Sequence, residues 1–330
     1  MNKDIENLEK ISNFIRGLVI LSTTFAGSGH PGGALSSADI ITALYFKKLR
    51  HNPKNPKWEK RCRFILSKGH SVPALYAALS LCGYFEVEKL KTLRKIDSIL
   101  QGHPDALRVP GIEASTGSLG QGISIGVGIA LAAKLDNNNY NTYVLTGDGE
   151  CDEGQIWEAF MSANNFAKKG RIGNLTVIID RNRLQIDGNT EDVMALEPLA
   201  EKIKSFGWNV LEIDGHNFNE ILDALNKNFQ LKAIIANTIK GKGVKFMENN
   251  PEWHGKSTNY FQCILALKDL NFAIDDEIYE IAENSQKKIE KKENVEKQIL
   301  EKCKNYCYKK FDEISIEAKN FVKNLIPSIL

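Results

Sequence analysis

NTYVLTGDGECDEGQIWEAFMSANNFAKKGRIGNLTVIIDRN, running from Asn141 to Asn182, holds a complete strand–helix–strand unit. Asn141 to Leu145 is a short apolar run with the look of a buried strand, and it stops at Thr146-Gly147-Asp148-Gly149. Apolar residues then recur at helical spacing from about Glu153 to Lys168. A second apolar run, LTVIID, ends at Asp180-Arg181-Asn182. This order implies a right-handed crossover between two parallel strands of one sheet.

Outward from this unit the alternation continues. WNVLEID (208–214) follows a helix expected around Leu199 to Phe206, and KAIIANTI (232–239) follows one around Asn219 to Phe229. Upstream, RFILS is a short strand ending at Ser67, and helices are expected over Lys3 to Thr24, Ser37 to Tyr45 and Val72 to Leu81. Strands alternating with helices predict a doubly wound α/β domain with a mainly parallel sheet. Past Phe261 glycine and proline nearly vanish and lysine, glutamate and isoleucine take over. We read 1–262 as the α/β domain and 263–330 as a charged helical extension. Its segment KKIEKKENVEKQILEK suits either a solvated helix or one that docks a partner.

Composition narrows the function. The chain has 330 residues, a net charge of +2 and 25% charged residues, so bulk electrostatics favour neither nucleic acid nor an anionic membrane. No apolar run is long enough to span a bilayer, and the start, MNKDIENLEK, lacks the apolar stretch of a signal peptide. The six cysteines form no CxxC pair and read as free thiols of a cytoplasmic protein. Cys303 and Cys307 share a helix face, yet no further metal ligand lies near them in sequence.

Asp148 between two glycines and Asn182 stand at the carboxyl ends of two adjacent strands, where open α/β sheets bind ligands. Alone, Gly-Asp-Gly would be a helix-capping turn. Together the two residues suit a Mg²⁺–diphosphate site, because Mg²⁺ takes hard oxygen ligands and only one or two carboxylates. One carboxylate, one amide oxygen and a backbone carbonyl just past Asn182 would leave the remaining positions to phosphate. Glycines here let backbone approach a phosphate, and the helix starting near Asp152 points its positive end at the same place. Four of the six histidines, His30, His70, His103 and His254, also sit in glycine-rich or loop contexts rather than in core patterns. Imidazole moves protons near neutral pH. Thr116 to Gly122 (TGSLGQG) is rich in glycine but lacks the spacing and the leading strand of a dinucleotide fingerprint.

GDGECDEGQIWEA followed by IIDRNRLQIDG resembles the thiamine diphosphate signature of transketolases. SGHPGGALSSADI, LSKGHSVPALYAAL, GHPD, STGSLGQGISIGVGIALAAKL and IKGKGVKFMENNPEWHG are similar to further motifs of that family's N-terminal half, in the same order, over Gly27 to Gly255. The resemblance implies thiamine diphosphate and Mg²⁺ (or Ca²⁺ or Mn²⁺ in its place), with Asp148, Asn182 and the Leu184 carbonyl on the metal. It implies His30 and His254 at the donor hydroxyl whose deprotonation drives cleavage, and His103 at the donor's terminal hydroxyl. His70, Gly117, Ser118, Leu119, Gly149 and Asn182 would contact the cofactor. Glu153 is either a cofactor residue or a helix-start glutamate favoured by the dipole. Glu158 would act across a subunit interface between two cofactors. His51 and His216 match no functional motif and are expected at the surface, with His216 in a structural turn.

The same resemblance covers only the first half of the family. The glutamate that activates the aminopyrimidine, and the arginines that grip sugar phosphates, belong to the C-terminal half. We therefore expect a separate pyrimidine-binding subunit, an α2β2 assembly, and a sugar or sugar-phosphate substrate. Asn164 and Asn165 stand where the family often has a histidine, and the tail past Phe261 is expected to overrun the family's usual end. Two competing functions are an alpha subunit of a 2-oxo acid dehydrogenase and a non-catalytic structural partner. The histidines and SLGQG favour ketol transfer over the first, and intact Asp148 and Asn182 over the second.

Overall fold

The computed structural model describes residues 3–325. The elements in chain order are α1 (Lys3–Ala26), α2 (Pro31–Ser36), α3 (Ala38–Ala43), β1 (Arg63–Leu66), α4 (Val72–Cys82), α5 (Gln121–Leu135), β2 (Thr142–Gly147) and α6 (Gly154–Lys168). Then follow β3 (Leu175–Arg181), α7 (Thr190–Val193), α8 (Leu199–Ser205), β4 (Asn209–Asp214), α9 (Phe218–Asn226), β5 (Leu231–Asn237), α10 (Tyr260–Asp269), α11 (Asp276–Glu290) and α12 (Lys297–Leu325).

The five strands form one sheet in the order β1-β2-β3-β5-β4, and every neighbouring pair is parallel. Side chains alternate across it, so each central strand feeds two cores. Val177 and Ile179 of β3 point into one cluster with α5, α6 and α8. Ile178, between them, points into the other, with α1, α4, α9 and α10. Helices thus cover both faces, as the doubly wound reading requires.

Register places the site. Gly147 pairs with Asp180, and Arg181 with Asn237. Asp148, Asn182 and the segment after β5 therefore leave the sheet at one level, at the carboxyl ends of three adjacent strands. β2 runs through Gly147, past Leu145 where the apolar run stops, because Thr146 and Gly147 continue the ladder with β3. Helix α5 lies close over this edge. A Cβ on Gly122 would collide with the Ser67 side chain, so only glycine allows that approach.

The composition change at residue 263 falls inside α10. Beyond it the lysines of KKIEKK are exposed, as charge alone predicts. Helix α12, however, buries Cys303, Cys307, Phe311, Ile314, Ala318 and Val322 in the same cluster as α1. Phe311 packs against Phe25 at 5.7 Å, and Tyr308 stacks on Phe25 at 4.1 Å. Residues 326–330 of the expected extension lie outside the described residues. All six cysteines are free and buried.

Candidate active site

At the strand ends a cavity of about 320 Å³ opens, lined by His30, His70, His103, His254, Gly117, Leu119, Asp148, Gly149, Asn182 and Leu184 among others. These are the residues the sequence singled out, from segments far apart in the chain. The histidine rings face one another: His30 lies 5.3 Å from His70, 6.5 Å from His103 and 5.6 Å from His254.

Asp148 is 2% exposed. Its Oδ1 accepts the Gly149 N–H at 2.9 Å, and its Oδ2 accepts the Arg183 N–H at 2.5 Å and Arg181 Nη1 at 3.3 Å. Burial and the neighbouring Asp180 charge push its pKa up, against Arg181. Asn182 donates from Nδ2 to Asp180 at 3.2 Å, which turns its Oδ1 the other way, to the Leu184 N–H at 3.2 Å. The Leu184 carbonyl accepts from Lys240 Nζ at 2.9 Å.

This donor set fits a hard divalent ion. A carboxylate raised in pKa by burial is short of positive charge, and an amide oxygen and a main-chain carbonyl stand at the same strand ends. Among the described residues no group of three His, Cys, Asp or Glu side chains could hold a metal. An ion bound here would draw its other ligands from phosphate and water. One buried polar atom at the cavity, Gln185 Oε1, has no partner among the described residues.

Several residues that build the cavity escaped the sequence reading. Asp180, fully buried, accepts from Lys68 Nζ, Ser36 Oγ and Thr238 Oγ1. Burial raises its pKa, but Lys68 and the two hydroxyls outweigh that and hold it below the carboxylate range. Glu150 accepts the Gly120 N–H at 2.9 Å, the Gly147 N–H at 3.0 Å and the Ser67 hydroxyl, tying α5, β2 and β1 together. Lys240, 2% exposed, bridges Leu184 O and His254 Nδ1, each at 2.9 Å. Burial lowers its pKa to about 8. The available signals were LSKGH and IKGKG, where a lysine follows a strand end.

The four cavity histidines share one electrostatic state. Burial, then Arg94, His103 and Lys240, lower His30 to about 4. Burial, then Lys240, His30 and Lys68, lower His254 to about 3. His70 and His103 are lowered too, first by burial. All four are uncharged at neutral pH. Lys240 donates to His254 Nδ1, so the His254 ring proton is on Nε2. Arg94 holds Ser28 Oγ at 2.8 Å and reaches His30 Nδ1 at a longer 3.4 Å.

Three of the singled-out residues lie off the cavity. Ser118, Glu153 and Glu158 are exposed and do not line it. Glu153 packs beside Gly120, where a Cβ would come within 2.7 Å of it. Neither of the remaining histidines is a surface residue. His51 is half-buried between Tyr84 Oη and the Tyr45 carbonyl, and His216 is held by Asp39 and the Ile239 N–H.

A family described as transketolase, thiamine diphosphate binding domain, matches residues 8–327. The tail past Phe261 therefore lies within the matched domain and does not overrun it. The chain is 46% identical over 258 residues to a 6-deoxy-6-sulfo-D-fructose transketolase subunit of Clostridium sp. (strain MSTE9), covering 77% of this chain and 92% of that protein. It is 47% identical over 256 residues to an apulose-4-phosphate transketolase subunit of Phocaeicola vulgatus, covering 76% and 89%. The solved transketolase of Campylobacter jejuni superposes with a TM-score of 0.76 at 29% identity, over 99% of this chain but 49% of that one. The chain thus spans about half the length of that transketolase. With the motifs brought to one cavity and the match running almost end to end, the chain belongs to the transketolase family, as its thiamine diphosphate-binding N-terminal domain.

Proposed function

We propose that the chain is the cofactor-holding subunit of a two-part transketolase, moving a two-carbon ketol unit from a ketose donor to an aldose acceptor. It acts with a pyrimidine-binding partner, as an α2β2 assembly in the cytoplasm. The observation that carries this reading is the joint placement of Asp148, Asn182 and the Leu184 carbonyl beside four uncharged histidines. Two relatives that it matches along most of their length are themselves transketolase subunits.

Asp148, Asn182 and Leu184 O would hold Mg²⁺, or Ca²⁺ or Mn²⁺, against the diphosphate. His70, Gly117, Leu119 and Gly149 would wall the cofactor, with Ser118 and Glu153 at its rim and Glu158 at the contact between subunits. Bound thiamine diphosphate supplies a carbon nucleophile and electron sink for breaking the bond beside a ketone. His254, with Nδ1 occupied by Lys240, presents its Nε2–H to the donor hydroxyl oxygen. The Arg94 contact to His30 Nδ1, at 3.4 Å, is too long to fix that ring's tautomer, so an unprotonated nitrogen of His30 would take that hydroxyl's proton. His103 holds the terminal hydroxyl.

The test is calorimetric titration of thiamine diphosphate with and without Mg²⁺, followed by ketol transfer in the presence of the partner. Binding that ignores Mg²⁺ would overturn the metal assignment. Cleavage of 2-oxo acids in place of ketoses would overturn the reaction.

A further inference from the structure

A buried polar relay runs from the first helix to the cavity floor, and the mechanism above does not use it. It starts at Ser12 and Arg16 on α1. Arg16 donates to Ser12 Oγ at 2.7 Å and to both oxygens of Asp39, at 3.1 and 2.6 Å. Ser12 Oγ also donates to Asp39 Oδ1. Asp39, on α3, is 4% exposed. Its Oδ2 meets His216 Nδ1 at 2.7 Å. His216 comes from the turn after β4, and its Nε2 accepts the Ile239 N–H at 2.8 Å. A backbone N–H can only donate, so Nε2 is bare and the ring proton is on Nδ1, shared with Asp39. Asp39 thereby fixes which nitrogen of His216 can accept.

The place where the relay ends matters. β5 stops at Asn237, so Ile239 has no ladder partner for its N–H. The residues around it are fixed by other means. Thr238 N–H bonds the Arg181 carbonyl at 3.0 Å, and Gly241 N–H bonds the Gly32 carbonyl at 3.0 Å. The Ile239 N–H is the remaining main-chain donor between those two anchors, apart from that of Lys240 itself. The side chain of Lys240 leaves the backbone at this point and crosses to Leu184 O and His254 Nδ1. A peptide plane that rotates by a few tens of degrees here would swing a long side chain off both contacts.

We propose that His216 is a positioning residue for the cavity: by holding the Ile239 N–H it aims Lys240 at Leu184 and His254. The relay behind it, Asp39 with Arg16 and Ser12, keeps His216 in the accepting tautomer. Its functional part rests on the reading of the cavity as a metal–diphosphate site. Lys240 steadies one carbonyl of that site and one histidine, so a loosened Lys240 weakens the holding of metal and cofactor together. Groups one step removed from metal ligands change metal affinity by roughly 10–100-fold when lost.

Two substitutions separate the links. In His216→Asn the shorter amide keeps a donor near Asp39 but falls short of Ile239. In His216→Gln an amide oxygen reaches about where Nε2 sits, so the link to Ile239 is kept. We expect the amides of residues 238–241 to exchange about tenfold faster with solvent in His216→Asn than in the unaltered chain, and the rest of the sheet to be unchanged. With Mg²⁺ present, calorimetry should show thiamine diphosphate bound about tenfold more weakly by His216→Asn and near normally by His216→Gln. In a Lys240→Met background His216→Asn should add no further loss, because the contact it aims is already gone. An equal loss in both backgrounds would show a merely structural role and overturn the inference, as would normal exchange at 238–241. If His216→Asn gives no folded protein, weak binding by His216→Gln would overturn it as well. If the unaltered chain binds and every variant binds alike, only this inference falls. If the unaltered chain, with its partner present, binds no cofactor, the reading of the cavity falls first.

Discussion

Asp148 carries three donors on two oxygens, yet stays short of positive charge: one arginine, Arg181, is shared with Glu191 at 2.7 Å and Glu197 at 3.0 Å. Replacing it with alanine leaves Arg181 both glutamates, so the fold should survive. Binding should not. Asp148→Ala is expected to weaken Mg²⁺-dependent cofactor binding by more than the roughly 10–100-fold lost with an outer partner. Calorimetry checks this, and unchanged affinity would remove Asp148 from the metal. The histidines give a second prediction at this scale. His30, at about 4, and His254, at about 3, lie below the ordinary histidine value of about 6.5. The unfolded chain then binds more protons than the folded one across that window, so stability rises with pH there. Stability from these groups is whole above about pH 6.5 and is lost as pH falls towards 4 and 3. Melting of the cofactor-free chain should show it, with a shallower acid limb in His30→Asn. The NMR signals of His30 and His254 should stay nearly flat from pH 8 to 5; either of them titrating near 6.5 would refute the assignment. The strand-end aspartate and asparagine were readable because their neighbours are diagnostic. Lys68 and Lys240 were not, since a lysine in a loop is ordinarily solvated and only packing shows that these two are 2% exposed.

Helices differ in how openly the sequence announces them. α6 and the strands beside it stand out because apolar residues recur at helical spacing in the one and run nearly unbroken in the others. α12 hides, since ten of its 29 residues are lysine or glutamate and its buried stripe includes cysteines, an alanine and a serine. The stripe is nonetheless continuous along a 29-residue helix, and it lies against α1, α4 and α10. Phe311 is its anchor: it is fully buried, packs on Phe25, and has Lys91 Nζ 4.9 Å over its ring. Phe311→Ala should cost about 3–5 kcal/mol, the usual penalty for emptying a buried aromatic site. A solvated appendage would instead give a change within about 0.5 kcal/mol, so chemical denaturation separates the two readings.

At the scale of the molecule the proposed function makes the cavity half of a site. Strand ends and the loops carrying the four histidines wall one side. On the other, Ile186 lines the cavity while 69% exposed. Large apolar side chains beside a catalytic cavity are costly to leave in water and cheap to cover with a partner. Among the described residues Glu150 is the one glutamate lining the cavity, and it is spent on Ser67, Gly120 and Gly147. The solved transketolase that this chain matches has as much again beyond the matched half, and on the proposed two-part reading the group that activates an aminopyrimidine comes from an equivalent partner. We expect the purified chain with thiamine diphosphate and Mg²⁺ to bind cofactor and transfer no ketol units. Adding a partner equivalent to the C-terminal half should start transfer, with a rate that saturates at one partner per chain. Replacing Ile186 by aspartate should raise the partner concentration needed for half-maximal rate, because a charge buried in a contact costs far more than one facing water. Ketol transfer by the lone chain at the rate of the mixture would mean that the site is complete without a partner, and the two-part reading would be wrong.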